Sequence, residues 1–454
     1  MRFLARMGLN EIYSFEKGII RTFVFLIFMA LILRADQMVM SPVIPFIQKE
    51  FAIGDKEIGF VGSAFTLVAA VVTLIWGYLS DKYPRKLLLI SAILIGEIPC
   101  LLTAFATNYT QLLVLRVLTG IGIGAMVPIA FSILGDLFTE KQRPRAQAWY
   151  QMMGGMGVLV GMVVAGFVGP TYGWRLPFII VSVPNFFFAL TLLVGGKEPK
   201  RGAGEAALKE LILGGKNYTR TMKLQDYLHL FKVPSNIWLF LQGIPGTVAW
   251  GVLPYFLITF YVRFKNLSVE LATILLLIIG MGMIFGNLFG GIMGNWIYTK
   301  NRSYLPIFCG ISQFLGVIPL IISLNWPAAP EPSFSYILFP ALLGFLGAIF
   351  ISSAGPNVLA MLANVNLPEH RGGISSIFNL TDSIGAGFGP MIGGLLSAYK
   401  GLDYAMHTSV LFWIPCGILF FILIFTLNKD VLRVNTLMEN TRKELEQIND
   451  LSQP

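Results

Sequence analysis

Long apolar runs, each near the length needed to cross a bilayer, recur along the whole chain and constrain its fold more than any other feature. A helix crosses hydrocarbon with about 20 apolar residues, because only internally hydrogen-bonded backbone is tolerated there. "LLVLRVLTGIGIGAMVPIAFSILGDLF" (112–138) is one such run. Twelve candidate spans are read, at about 19–45, 58–80, 86–106, 112–136, 146–169, 176–195, 236–262, 269–297, 304–324, 335–363, 373–397 and 405–428. The proline-rich "NWPAAPEPSFS" (325–335) reads as a loop between two of them. The expected fold class is therefore an all-α membrane protein with twelve transmembrane helices.

Charge distribution supports this reading. Only 13% of residues are charged and 55% are hydrophobic, against about 25% charged in a soluble domain. A net charge of +9 could suggest nucleic acid, but the basic residues sit in short loops between apolar runs, so no nucleic-acid partner is expected. Of the 33 Lys and Arg, only Lys49, Lys56, Arg175, Arg263, Lys265 and Lys400 fall on the side opposite the termini, and Arg34 and Arg116 fall inside spans. That bias predicts cytoplasmic N- and C-termini. The first run is followed by no small-residue cleavage site and is expected to be retained as a span. Cys100, Cys309 and Cys416 lie in different spans with no ligand spacing and read as small core residues.

The longest connection, 196–235, separates an N-terminal six-span half (1–195) from a C-terminal one (236–428), with a tail at 429–454. "EAALKELIL" (205–213) and "LQDYLHLF" (224–231) are compatible with short surface helices or with a solvated linker. The charged tail segment 437–450 reads as a cytoplasmic helix or as disorder. The halves also resemble each other. "GYLSDKYPRK" (77–86) in the first corresponds to "GGIMGNWIYTKNR" (290–302) in the second, and "QRPRA" (142–146) to "EHRGG" (369–373). Two six-span copies predict two pseudo-symmetric six-helix bundles, one of the known transporter architectures.

In these features the chain resembles the major facilitator superfamily. "GYLSDKYPRK" matches that family's loop signature, with Pro84 where the signature has its second glycine, and "RVLTGIGIG" (116–124) matches its fourth-span Arg-and-glycine motif. The resemblance covers nearly the whole chain. It implies a secondary active transporter that works by alternating access of two halves about a midplane site. Gly77, Asp81, Arg85 and Lys86 are then expected to form a cytoplasmic gate, with the two basic residues reaching carboxylates across the seam between halves. Arg116 is expected to take part in proton coupling. The stretches 116–138 and "GWRLPF" (173–178) are similar to the spinster-like branch, whose members move lysolipids or sphingolipids. Asp36 matches that branch's first-span aspartate, while Gln37 and Ile123 depart from it.

Two charges in span 1 carry the mechanism. A charge at the bilayer centre costs about 2.5–3.5 kcal/mol on insertion scales, and such residues are functional by default. Arg34 and Asp36 are two residues apart, so on a helix they point about 200° apart and each needs a partner elsewhere. A lone carboxylate there can cycle between protonated and ionised forms. Asp36 and Arg116 are the expected proton-coupling residues. Arg34, Asp36, Gln151, Gln242, Trp250, Asn357 and Asp382 are the expected substrate-binding residues. Glu97, in a span the family places at the periphery, reads as a helix–helix contact. The glycines after Asp382, with Pro390, suggest a bendable span 11.

The expected substrate is a small or amphipathic organic solute moved with protons, with a lysophospholipid or other lipid-like anion among the candidates. A multidrug carrier or a small polar metabolite or sugar carrier is the alternative. His229, His370 and His407 lack ligand spacing, and no phosphate-binding or nucleophile motif occurs. Neither enzyme activity, a cofactor nor a metal is expected; a receptor or structural protein is the remaining rival class. Protons and membrane lipids are the expected partners beside the substrate, in a monomer placed in the bacterial cytoplasmic membrane.

Overall fold

The computed structural model describes residues 17–138, 143–199, 230–328, 330–366 and 371–451. They form helices that follow the apolar runs. In the first half these are α1 (Lys17–Phe51), α2 (Asp55–Lys82), α3 (Arg85–Thr103), α4 (Tyr109–Ile123), α5 (Met126–Leu137), α6 (Arg143–Tyr172) and α7 (Arg175–Gly195). In the second they are α8 (Pro234–Phe264), α9 (Val269–Lys300), α10 (Tyr304–Asn325), α11 (Phe334–Ser352), α12 (Gly355–Asn364), α13 (Arg371–Lys400), α14 (Leu402–Leu411) and α15 (Trp413–Ile422). The pairs α4–α5, α11–α12 and α14–α15 each continue as one span. Among the described residues, eleven helical segments are long and apolar enough to cross a membrane. The twelfth span, α13, has the length, but Asn379, Thr381, Asp382 and Ser383 make it more polar.

The internal repeat is plainest in the backbone. Among the described residues, positive φ occurs at Ala52 and Asn266, in the turns after spans 1 and 7, and at Gly173 and Gly401, in the turns after spans 5 and 11. At φ +90° the two glycines hold a conformation that a Cβ would strain. Span 4 starts on the side chain of Asn108, which accepts from the Gln111 N–H, and span 10 starts on Ser333, which accepts from Tyr336. Each of these two spans tightens at its middle, around Gly124 and around Ser353. Turn and cap chemistry therefore recur at matching places in two six-span bundles whose side chains have diverged.

The chain divides into two compact units. One comprises Met1–Arg220, Ser268–Thr273 and Gly393–Tyr399, and the other Thr221–Leu267, Ile274–Ile392 and Lys400–Pro454. Inside the first unit, Phe23, Leu26, Met29, Ile129, Leu134 and Phe138 form part of one buried apolar core. Val71, Leu74, Leu288 and Ile292 are instead more than half exposed. Helices with exposed apolar flanks and buried polar groups are those of a multi-pass membrane protein. Segment 205–213 and nearly all of 224–231 lie outside the described residues. The tail is helical, α16 (Leu427–Leu451), and its Asp430 accepts from the Ser235 N–H at the start of α8 at 2.9 Å.

Candidate functional site

The motif "RVLTGIGIG" shows how the first unit assembles its polar centre. Gly120 and Gly124 lie four apart on one face of α4, and a Cβ on either would fall 2.5 Å from a carbonyl oxygen of α2. Gly122, on another face, would strike the α3 backbone at Ala92 and Gly96 at 2.4 Å. Small residues let three helices meet at backbone contact. Their approach carries Arg116, one turn before Gly120, into the bundle. Gly157 and Gly161 on α6 do the same for α1. There a Cβ would fall 1.9 and 2.1 Å from the carbonyls of Leu31 and Ala35, just before Asp36.

Arg116 and Asp36 meet there. Arg116 Nη1 lies 3.2 Å from Asp36 Oδ1, and both residues are almost fully buried. Arg116 Nη2 donates to Thr103 Oγ1 at 3.1 Å, and the Cys100 thiol donates to Asp36 Oδ1 at 2.8 Å. The guanidinium also lies 4.9 Å from the Phe178 ring centroid, a favourable cation–π contact in a dry setting. Glu97, one turn before Cys100 on α3, is completely buried, and its Oε1 accepts from Asn185 Nδ2 of α7. Four atoms of this cluster have no hydrogen-bond partner among the described residues: Asp36 Oδ2, Glu97 Oε2, Arg116 Nε and Asn185 Oδ1. Buried polar atoms are normally satisfied, and exceptions concentrate where a group changes partner or protonation.

Asp36 and Arg116, expected together in proton coupling, are thus brought together. Arg34 is not part of the cluster. It is exposed, donates to Gln37 Oε1 at 2.9 Å, and rests beside Gly154 of α6. The departure at Gln37 therefore supplies Arg34 with its partner, and the departure at Ile123 leaves a buried apolar side chain. Cys100 is more than core filling, because its thiol touches Asp36. Glu97 does make the expected helix–helix contact, through Asn185, but at the centre of the cluster rather than at a periphery. Glu97, Cys100 and Thr103 recur at intervals of three on α3. That spacing of polar residues on one helix face was the available signal. Asn185 offered none, because one asparagine on an apolar helix does not reveal what it faces.

The second-unit candidates are dispersed. Gln242 Nε2 donates to the Leu239 carbonyl of its own helix at 2.9 Å, and the Cys416 thiol lies 3.4 Å from Gln242 Oε1. Asn357 on α12 donates to the carbonyls of Gly290 and Ser353 at 2.9 and 2.8 Å, with its side chain lodged where a Cβ at Gly294 would sit. It is committed to joining spans 8 and 10. Trp250 packs edge-on against Trp413, with centroids 5.2 Å apart, and lines a small apolar cavity with Leu253, Leu257 and Leu276. Asp382 is half-buried, its Oδ1 has no partner among the described residues, and Gly243 of α8 makes room for it. The glycines of span 11 close on α8 (Gly385 on Thr247, Gly389 on Gly251) within one continuous helix, so they serve packing. Gln151 is exposed on α6.

The loop signature forms a separate cluster. Arg85, buried at the start of α3, pairs with Asp136 of α5 and with Glu198 at 3.1 Å, and donates to the Pro199 carbonyl at 2.7 Å. Glu198 also accepts the Arg85 backbone N–H at 2.8 Å, an anion at a helix N-terminus. Pro84 fits immediately before that first helical residue, in extended conformation. Lys86 donates to the Leu193 carbonyl near the end of α7 at 2.8 Å. These partners of Arg85 and Lys86 all belong to the first unit, whereas the seam reading sought them in the other half. Gly77 has only ordinary contact, 3.8 Å from a built Cβ to Pro128, so α2 needs no glycine there for close approach. Asp81 lies in the last turn of α2.

Three comparisons bear on this arrangement. The family model described as Major Facilitator Superfamily matches residues 26–354. Over 234 residues the chain is 30% identical to the sphingosine-1-phosphate transporter SPNS2 of Danio rerio, a stretch that is 50% of this chain and 45% of that protein. The matched stretch thus spans about half the length of that relative. Multidrug resistance protein 1 of Bacillus subtilis (strain 168) is 24% identical over 362 residues, 78% of this chain and 84% of that protein. The fold superposes with a TM-score of 0.80 on the crystal structure of a bacterial homolog of the human lysosomal transporter Spinster, described as inward-facing and unoccupied. At 19% identity, covering 92% of this chain and 99% of that one, this is a likeness of fold.

Proposed function

The chain belongs to the major facilitator superfamily, and from that premise we propose that this membrane transporter moves an amphipathic, lipid-like anion by alternating access, driven by protons. The carrying observation is the buried Asp36–Arg116 pair, 3.2 Å apart, with Asp36 Oδ2 left without a partner among the described residues. A fixed structural ion pair in a dry interior is stable when its remaining atoms are satisfied. A carboxylate with an open oxygen beside a cation can instead be protonated and released, which is the chemistry a proton-coupled carrier needs. Asp36 is the proton acceptor and Arg116 the cation that tunes it.

Arg34 is the anion-binding residue of this proposal. It is exposed and its stem lies along Gly154. A guanidinium suits a phosphate or carboxylate head group because its planar donors match two oxygens at once. Gln151, one residue from Tyr150, Gln242, Trp250, Asn357 and Asp382 are the remaining substrate-facing candidates. Of these, Asn357 has the least freedom to serve, since both its N–H bonds are committed within its bundle. The cluster of Arg85 and Lys86, with Gly77 and Asp81, is the gate on the cytoplasmic side, where the excess of basic residues places both termini.

Transport of a labelled lysophospholipid into proteoliposomes, with and without an imposed pH gradient, tests this reading. Gradient-dependent movement supports it. Movement of a cationic drug-like dye but not the lipid moves the chain to the multidrug reading, which the coverage of the Bacillus subtilis relative favours.

A further inference from the structure

We propose that Glu97 is a second proton-binding site, holding its proton while Asp36 stands ionised against Arg116, and that the two carboxyl groups exchange these states during transport. Glu97 is completely buried, its Oε1 faces the Asn185 amide, and its Oε2 has no partner among the described residues. The groups acting on it are Asp36 from α1, Cys100 from its own helix, Arg116 from α4 and Asn185 from α7. With Glu97 itself the cluster holds two carboxyl groups and one guanidinium. Arg116 gives its 3.2 Å contact to Asp36, and the amide facing Glu97 carries no charge. With both acids ionised the cluster would hold an uncompensated buried anion, which a low-dielectric interior avoids by protonation. Protonating Glu97 brings the cluster to neutrality. It also adds a donor to a cluster whose partnerless atoms include the acceptors Asp36 Oδ2 and Asn185 Oδ1.

The same count applies when Asp36 takes up a proton. Arg116 then loses its anion, and Glu97 is the neighbouring carboxyl able to release a proton and restore neutrality. One proton enters at Asp36 and one leaves from Glu97. The cluster's net charge stays at zero, and Arg116 faces one carboxylate throughout. Cys100, one helical turn from Glu97, donates a hydrogen bond to Asp36 at 2.8 Å, so one turn of α3 links the two acids. The inference rests on the proposed proton coupling for its transport consequence, but the resting protonation of Glu97 is independent of transport.

Infrared spectroscopy of the purified protein tests that resting state directly. At neutral pH the protein should show a buried carboxylic-acid carbonyl band that Glu97→Gln abolishes. The same band should be lost in Asp36→Asn, because Glu97 then ionises to balance Arg116. Identical carbonyl regions in the wild type and Glu97→Gln would overturn the proposal, as would a band that persists in Asp36→Asn. Neither result depends on the substrate, so both stand apart from the transporter reading. In proteoliposomes, Glu97→Gln should lose gradient-driven uptake while retaining substrate exchange, at unchanged melting temperature. Full gradient-driven uptake in that variant would remove Glu97 from coupling. A Glu97→Asp variant that restores both the band and coupling separates proton binding from mere packing.

Discussion

The two bundles share a backbone plan but differ in what they bury. The first encloses Asp36, Glu97 and Arg116 together, each with one atom unsatisfied among the described residues. The second encloses mainly neutral groups, most of them hydrogen-bonded, although Thr259 Oγ1, Ser352 Oγ and His407 Nε2 have no partner among the described residues. Asn236 and Asn366 exchange amide hydrogen bonds at 2.9 and 2.8 Å, Asn357 clamps two spans, and Tyr261 reaches Ser323. Asp382 is the charged group among its candidate site residues, and its Oδ1 has no partner among the described residues. Amides hold helices together without changing charge, whereas carboxyl groups sharing one guanidinium can pass a proton. On this difference rests the proposal of proton chemistry in the first bundle, while Asn236, Asn357 and Asn366 of the second join helices.

The largest effect that could break this comparison is expected from Arg116→Ala. It strands the buried Asp36 carboxylate and should cost about 3–5 kcal/mol of stability, read as a lower melting temperature in detergent. A variant that melts like the wild type would mean the pair is not needed to balance buried charge. Asn357→Ala, in the second bundle, should cost less, about 1–3 kcal/mol for the lost buried hydrogen bonds, and should leave the pH dependence of transport unchanged. A shifted pH profile there would give the second bundle a part in coupling. Asp382→Asn sharpens the contrast further: removing a partnerless carboxylate should leave stability unchanged or raise it. Lost stability would point to a cation that pairs with Asp382. Gly77→Ala is expected to have the smallest effect, within about 0.5 kcal/mol, because a Cβ meets Pro128 at ordinary distance. A marked fall in melting temperature would show that α2 approaches its neighbour more closely than that.

Much of the fold was legible in the sequence, because bilayer length and basic-residue bias act on each segment separately. Eleven spans follow from apolar length alone, and the twelfth, α13, was still recognisable despite Asp382. The repeat was only faintly legible. Its clearest marks, the positive φ at Ala52 and Asn266 and at Gly173 and Gly401, are backbone properties, and an alanine such as Ala52 does not announce one. At the site, Asp36 and Arg116 stood out because charge in an apolar run is costly. Their meeting depended on helix packing through Gly122, Gly157 and Gly161, which no single segment reveals. Glu97 was visible as a residue but not as a neighbour of Asp36, since sequence gives each helix face and not what it faces. Arg85 shows the same limit: its partners Asp136 and Glu198 are both more than 50 positions away.

The most direct measurement of the account is gradient-driven uptake of labelled lysophospholipid in proteoliposomes, comparing the wild type with Asp36→Asn and Asp382→Asn. The account predicts uptake that follows the pH gradient in the wild type and in Asp382→Asn, with only gradient-independent exchange in Asp36→Asn. Gradient-driven uptake surviving in Asp36→Asn, or lost only in Asp382→Asn, would contradict the placement of proton chemistry in the first bundle.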